Sequence, residues 1–178
     1  MNWDAYEGWE LPLVETWPDL SVKEARRAFD RLMAAKQERI SQLRAVLAAN
    51  AVELGTSDES IQRLNEWLVA AVEPDPSQPG HPTPTWKSLG QDIALFIGEV
   101  LIERVPGLEW RLFEGSRRHL SHHHPVVMGF DVINSRFNVD PFWIVGGFML
   151  DASLGRAHDE PDLFVRVLRY HERLGASE

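Results

Sequence analysis

Apolar residues recur at intervals of three and four between residues 21 and 49, which is the spacing of one face of an α-helix. Ser21 and Glu24 have the spacing of a capping box, in which each side chain satisfies a free backbone donor at a helix start. The apolar positions are Val22, Ala25, Phe29, Leu32, Met33, Ile40, Leu43 and Leu47. No Gly or Pro interrupts the segment, so we predict one helix about 43 Å long.

A second helical pattern follows a break at residues 55–57, and Ser57 or Asp58 can cap it. Its apolar positions are Ile61, Leu64, Trp67, Leu68 and Val72. We predict that residues 21–72 form an antiparallel helical hairpin. The shorter helix can cover only about half of the long apolar stripe, so we expect an uncovered part that forms a homodimer or partner interface. The alternative cover is the N-terminal arm, residues 1–20.

Residues 73–85 carry five of the eleven prolines, which lack a backbone donor and disfavour helix in the preceding residue. We therefore predict an extended linker and the best candidate for a subdomain boundary.

The remainder, residues 86–178, mixes helical and strand patterns. Ser88 and Gln91 suggest a capping box that opens a helix ending near Arg104. Asp140 and Pro141 resemble an N-cap and first helical residue. The predicted strands are 108–113 and 125–132, and the further predicted helices are 142–151 and 162–174. Gly146 and Gly147 weaken the predicted buried helix 142–151, so a strand is the alternative there, and we interpret the two glycines as a sign of close packing.

These patterns predict a mostly helical α+β protein, in which the hairpin packs with helices around a small antiparallel sheet. At 178 residues, with 44% hydrophobic and 25% charged residues, the chain suits one globular unit. It has no cysteine, which excludes disulfides, thiolate nucleophiles and cysteine metal sites and is compatible with the cytoplasm. The acidic first twenty residues do not resemble a secretory signal, and we expect a cytoplasmic protein. The longest apolar run, residues 142–150, is about half the length of a membrane span.

The formal net charge of −9 argues against nucleic acid as a partner, because phosphate binding depends on Lys and Arg. The charge is uneven: residues 21–50 carry seven basic and three acidic residues, between two acidic segments. An acidic surface instead suits a basic protein partner.

Four histidines, His119, His122, His123 and His124, lie between the two predicted strands. Neutral imidazole is a ligand for zinc, nickel or copper, and a further ligand such as Asp131 would be needed to complete a site. Arg117 and Arg118 would repel a cation. The alternative is a polar loop that is rich in histidine.

Asp92, Glu99 and Glu103 fall on one narrow line of the helix predicted near residues 88–104. Paired carboxylates can act as general acid and base or hold a divalent metal. The alternative is a solvated line of a buried helix, paired with Arg residues of the hairpin or of residues 111–118.

The N-terminal arm contains Trp3, Tyr6, Trp9 and Trp17 among five acidic residues. Tryptophan and tyrosine are favoured anchors at interfaces, which makes these four residues a candidate partner-binding surface. The alternative is an arm folded onto its own domain against the basic helix.

A resemblance is carried by packing residues in residues 60–145. The segments are Leu64-Asn65-Glu66-Trp67-Leu68, Ile97-Gly98-Glu99-Val100-Leu101, Leu108-Glu109-Trp110 and His124-Pro125-Val126-Val127. Their order resembles a group of small uncharacterised bacterial proteins, some similar to immunity or accessory proteins of contact-dependent toxin systems. The resemblance implies a bacterial cytoplasmic binding protein and transfers no functional residue.

No nucleophile elbow, dinucleotide fingerprint or phosphate-binding loop occurs in the sequence. We therefore favour a non-enzymatic, immunity-like or adaptor-like protein-binding module without a cofactor. The alternative is a metal-dependent enzyme that uses the histidines with Asp131, Glu99 or Glu103. Enzymatic activity stays open at this stage.

Overall fold

The part of the chain that the structure describes folds into five α-helices, one 3-10 helix and four short strands. This computed structural model describes residues 1–9, 11–157 and 161–175. The helical elements are the 3-10 helix Val14–Asp19, α1 (Val22–Ala49), α2 (Asp58–Ala71), α3 (Pro84–Arg104), α4 (Pro141–Ser153) and α5 (Leu163–Gly175). The strands are β1 (Pro74–Asp75), β2 (Gln78–Pro82), β3 (Glu109–Leu112) and β4 (Pro125–Met128). The predicted mostly helical α+β class is confirmed.

The centre of the fold is α3, in which every residue from 89 to 98 is buried. Apart from Gln91 and Asp92, this stretch is apolar or glycine, and a helix that is apolar all round must be covered on every face. Helices α1, α4 and α5 all pack against it. The other elements are therefore positioned by α3.

Helix α3 begins earlier than the capping box predicted at Ser88 and Gln91. The Thr83 hydroxyl accepts a hydrogen bond from the Trp86 backbone N–H at 3.5 Å. Pro84 occupies the first turn, where its missing donor costs nothing and its fixed φ suits the helix. The end of the Pro-rich segment is thus a helix start.

The predicted capping box of α1 is confirmed. The Ser21 backbone N–H donates to Glu24 at 2.9 Å, and the Glu24 N–H donates to Ser21 Oγ at 3.4 Å. The helix ends at Ala49 and is followed by Asn50, at the boundary expected from the sequence.

The protein itself covers the apolar stripe of α1. Ile40, Leu43 and Leu47 are buried, and Phe29 is half-buried. Helix α3 packs against α1, and aromatic side chains of residues 1–20 join the same core. The prediction of an uncovered stripe is therefore wrong for this part of the helix, and a homodimer through it loses its supporting argument.

The first two helices do not pair as a simple hairpin. Helix α1 packs mainly on α3, whereas α2 packs on α4 and α5. The reason is the apolar surface of α3, which needs neighbours on all sides and takes the place of α2 beside α1.

The Pro-rich linker forms a small antiparallel hairpin from β1 and β2. Strand β2 is held to the core because the Ser153 hydroxyl of α4 donates to the Gly80 carbonyl at 2.9 Å. Gly80 has a positive φ of 85°. This segment is packed against α4, and a subdomain boundary there stays a prediction.

The second sheet pairs β3 with β4 in antiparallel register, with Trp110 opposite Val127, which confirms the predicted small sheet. The predicted start of α4 is also confirmed, because the Trp143 backbone N–H donates to Asp140 Oδ1 at 3.0 Å. Helix α5 begins at Leu163, one residue after the predicted start; Pro161 lies just before it, and Glu160 lies outside the described residues.

Among the helices of the described residues, none combines the length and the apolar composition that a membrane span requires.

Candidate functional site

The three acids predicted to form a line on α3 lie in different environments. Asp92 is wholly buried, Glu99 is partly buried and Glu103 is exposed. Lys36 Nζ lies 2.6 Å from Glu99 Oε1, and the Trp110 indole N–H donates to the same oxygen at 2.8 Å. Asp92 and Glu99 are thus engaged within the fold, largely by α1. An arginine of the first helix pairs with Asp92, as the alternative interpretation supposed, but Asp92 is not on a solvated line, and Glu99 pairs with a lysine.

Asp92 belongs to a buried network that joins the N-terminal arm, α1 and α3. Arg39 donates from Nε to Asp92 Oδ1 at 2.8 Å and from Nη2 to Oδ2 at 2.6 Å. The Tyr6 hydroxyl donates to Asp92 Oδ2 at 2.6 Å. The remaining Arg39 nitrogen, Nη1, donates to the Glu7 carbonyl at 3.0 Å and to Gln42 Oε1 at 3.1 Å. All donors of the guanidinium are therefore hydrogen-bonded within the fold, where they link the N-terminal arm, α1 and α3.

The protonation of this network follows from its burial. Burial and the neighbouring Asp92 charge raise the pKa of the Tyr6 hydroxyl, so it stays protonated and donates. Burial also raises the pKa of the Asp92 carboxyl, and the hydrogen bonds from Arg39 and Tyr6 act in the opposite direction. A charge pair at this depth stabilises the fold only while both partners are present.

The aromatic side chains of the N-terminal arm pack onto their own core. Trp17 is fully buried, and Trp3 and Trp9 are partly buried. The rings of Trp3 and Trp86 meet edge to face with centroids 5.1 Å apart. This packing favours an arm folded onto its own domain over the predicted partner-binding surface of Trp3, Tyr6, Trp9 and Trp17.

The four clustered histidines do not share one environment. His119 is exposed, whereas His122, His123 and His124 are buried. His124 Nδ1 lies 2.7 Å from Asp140 Oδ2, and both side chains are almost completely buried. His124 is therefore committed to the residue that caps α4.

His122 and His123 stack on each other, with ring centroids 3.8 Å apart and planes inclined by 26°. Imidazole binds a metal through a lone pair in the ring plane, so two nearly parallel rings do not aim at one ion. Within the described residues, no group of three or more His, Asp or Glu side chains is arranged to hold a metal ion. The predicted site at His119, His122, His123 and His124 is not formed among them.

His123 is held in a strained position, with a φ of 60° in the left-handed region. Burial and the neighbouring His122 lower the pKa of His123, against backbone hydrogen bonds to Trp17 and Leu20 that act to raise it. The ring thus packs against the N-terminal arm in its neutral form and has a structural role.

One tryptophan departs from the pattern of the other six. Trp143, in the first turn of α4, is 56% exposed, whereas the others are buried or half-buried. It lies between two clefts and lines both of them. An exposed indole between two concave surfaces is the strongest candidate for a binding site in the described residues.

The larger cleft, of about 450 Å³, lies between α4 and α5. We call it the apolar cleft, because Trp143, Phe148, Leu163 and Val167 contribute to its lining. Gly147 also lines it, and a Cβ at this glycine would meet nothing within 4 Å. A partner backbone can therefore approach α4 closely.

The smaller cleft, of about 270 Å³, lies on the other side of Trp143. We call it the polar cleft, because its lining includes His119, Asn134, Arg136 and Asp140. Two faces of different chemistry thus meet at one aromatic side chain.

No protein-family model, curated protein or solved structure matches this chain. The clefts are therefore interpreted from their own residues.

Sequence patterns missed this face for a physical reason. Residues 142–150 are apolar without a helical period, which predicts a buried helix and gives no sign of its exposed side. The interpretation of Gly146 and Gly147 as close packing is wrong, because both are exposed. The close approach occurs instead at Gly98, where a Cβ would overlap the Trp110 indole.

Proposed function

We propose that this chain is a non-enzymatic protein-binding module, adaptor-like or immunity-like, whose contact surface is centred on Trp143. The observation that supports this proposal is the Trp143 indole, which is 56% exposed and lines both the apolar and the polar cleft. Tryptophan dominates binding energy at interfaces when its large surface is buried by a partner.

The apolar cleft supports a partner segment that inserts an apolar side chain between α4 and α5. Its lining by Phe148, Leu163 and Val167 would bury that side chain, and each buried methylene contributes about 0.8 kcal/mol. The exposed glycines Gly146 and Gly147 would let the partner backbone lie against α4. The occupant we propose is a segment of a different protein.

The charge of −9 supports a partner that is basic outside this contact. A net acidic surface attracts a basic protein over a long range and raises its association rate, an effect that salt weakens. The binding energy itself would come from the apolar contact at Trp143.

The test is affinity capture from the host with the wild-type chain and with Trp143→Ala. We expect one stoichiometric partner that the wild type binds and that Trp143→Ala binds at least about 30-fold more weakly, as for an interface hot spot. Val22→Ala, which trims an exposed apolar side chain on α1, is the matched control and should bind normally.

Two results would contradict this function. One is a partner that binds Trp143→Ala as well as the wild type. The other is a chain that recovers no partner and turns over a substrate.

A further inference from the structure

The polar cleft contains several groups whose hydrogen bonds are already made. Asn134 Oδ1 accepts from the Arg136 backbone N–H at 3.0 Å, and Asn138 Nδ2 donates to the Arg136 carbonyl at 3.1 Å. His119 Nδ1 accepts from the Ser121 backbone N–H at 3.2 Å. These hydrogen bonds determine which donors and acceptors of the cleft remain available to a ligand.

The atoms that remain are mostly donors. Because His119 Nδ1 accepts a hydrogen bond, the neutral ring carries its proton on Nε2. Asn134 retains its NH₂ group for the same reason. The Arg136 guanidinium, with five N–H donors, has no hydrogen bond or ion pair to any residue that the structure describes. The Asn138 side-chain oxygen and the Ser121 hydroxyl are acceptors that line the same cleft. A donor-rich cleft of this kind recognises an anion.

Asp140, which also lines the cleft, limits the charge of that anion. Its Oδ2 pairs with His124 Nδ1 at 2.7 Å, and its Oδ1 accepts from the Trp143 backbone N–H at 3.0 Å. Both oxygens are thus engaged within the fold, and the carboxyl disfavours a second negative charge nearby. One guanidinium therefore matches a singly charged carboxylate better than a phosphate dianion.

The wall of the cleft defines the rest of the ligand. Phe137 and the exposed Trp143 line the same cavity, whose volume of about 270 Å³ suits a small molecule or one side chain. Aromatic walls bury an apolar or aromatic body.

We propose that the polar cleft is a binding site for a carboxylate attached to an apolar or aromatic body. Arg136 and His119 Nε2 donate to the carboxylate, and Trp143 with Phe137 covers the body. The carboxylate can belong to a free acid or to the C-terminus of a peptide. This site does not depend on the proposed function, because a small acid can bind it without any protein partner.

The test is NMR titration of the full chain, observing the indole N–H of Trp143 and the ring of His119. The probes are 3-phenylpropionate and its uncharged amide, and the tripeptide Gly-Gly-Phe with a free or an amidated C-terminus. We expect both resonances to shift with at least one acid, and each corresponding amide to bind at least about tenfold more weakly. Tighter binding of the peptide acid identifies a chain terminus as the source, whereas equal or tighter binding of 3-phenylpropionate identifies a free acid.

Variants of two arginines separate recognition from general charge. Arg136→Ala should weaken acid binding at least about tenfold, and Arg136→Lys should restore only part of it, because lysine lacks the two-pronged geometry. Arg44→Ala is the matched control, since it removes one positive charge from an exposed position on α1 that lines neither cleft, and it should leave acid binding unchanged. The proposal is overturned if acid and amide bind equally, if Arg136→Ala binds like the wild type, or if neither acid binds at 10 mM, roughly the weakest affinity that a specific site of this size would give. Loss of acid binding alone leaves capture of a protein partner by Trp143 unaffected, so the two proposals fail separately.

Discussion

Replacing Asp92 by Asn tests whether the buried network holds the arm, α1 and α3 together. The change keeps the size of the side chain and removes its charge, so Arg39 keeps a buried positive charge without a counter-charge. Removing one partner of a buried ion pair costs about 3–5 kcal/mol. A domain of this kind is stable by about 5–15 kcal/mol, so this one substitution would remove a large fraction of the total.

The loss of unfolding free energy can be measured by urea unfolding, and the fall in melting temperature by thermal unfolding, both followed by circular dichroism. For a domain of this size, a loss of about 3–5 kcal/mol corresponds to a fall in melting temperature of about 6–20 °C. Glu99→Gln is the matched control on the same helix. Its partly exposed pair with Lys36 should contribute about 1 kcal/mol or less. This is expected although the nitrogen-to-oxygen distance is 2.6 Å both for Lys36 with Glu99 and for Arg39 with Asp92.

Tyr6→Phe extends the test to the arm. Its hydroxyl donates to a charged acceptor, so the substitution should cost about 1.5–3 kcal/mol in the wild type. In the Asp92→Asn background, the same substitution should cost about 1 kcal/mol or less, because the charged acceptor has gone. The reasoning is refuted if Asp92→Asn costs less than about 1 kcal/mol, or if the two substitutions are additive.

Three other measurements follow from the structure. Gly98→Ala should destabilise the protein by about 1–3 kcal/mol, because its Cβ would overlap the Trp110 indole; a melting temperature equal to wild type would contradict this packing. Ser21→Ala should cost about 1 kcal/mol in urea unfolding through loss of the α1 cap, and Ser21→Asp should recover most of it. The pKa of His123 is lowered in the folded state, so the unfolded chain binds more protons as the pH falls. The contribution of His123 to stability is therefore complete above about pH 6.5 and is lost as the pH falls below that value. His123→Asn should reduce the change in urea midpoint between pH 7.5 and pH 5. His81→Asn, at an exposed position, should leave that change as in the wild type. The same pH dependence in His123→Asn and in the wild type would contradict this role of His123.

Local signals were sufficient for much of the fold. The capping box at Ser21 and Glu24 fixed the start of α1, and Asp140 with Pro141 fixed the start of α4, since both depend on residues within one turn. The alternation from Leu108 to Phe113 correctly indicated β3. These elements need no knowledge of distant contacts.

The sites required information that periodicity does not carry. Asp92 was visible as an acid on a helix, but its partners Arg39 and Tyr6 lie 53 and 86 residues away in the chain. The exposure of Trp143 was hidden because its helix is apolar on all sides in sequence. Which face of such a helix meets water is decided by the elements that pack on it.

Because α3 follows the N-terminal arm and α1 in the chain, the ribosome synthesises it after both of the segments that pack on it. The arm is made long before its anchor, since 86 residues separate Tyr6 from Asp92. At about 5–20 residues per second, the arm waits roughly 4–17 s for that carboxylate to be added, and longer for it to leave the exit tunnel. During this interval the basic, amphipathic α1 has neither α3 nor a docked arm against its apolar stripe. A nascent chain stalled before α3 should therefore be a substrate for chaperones, and the arm should become protected from protease only after α3 has emerged.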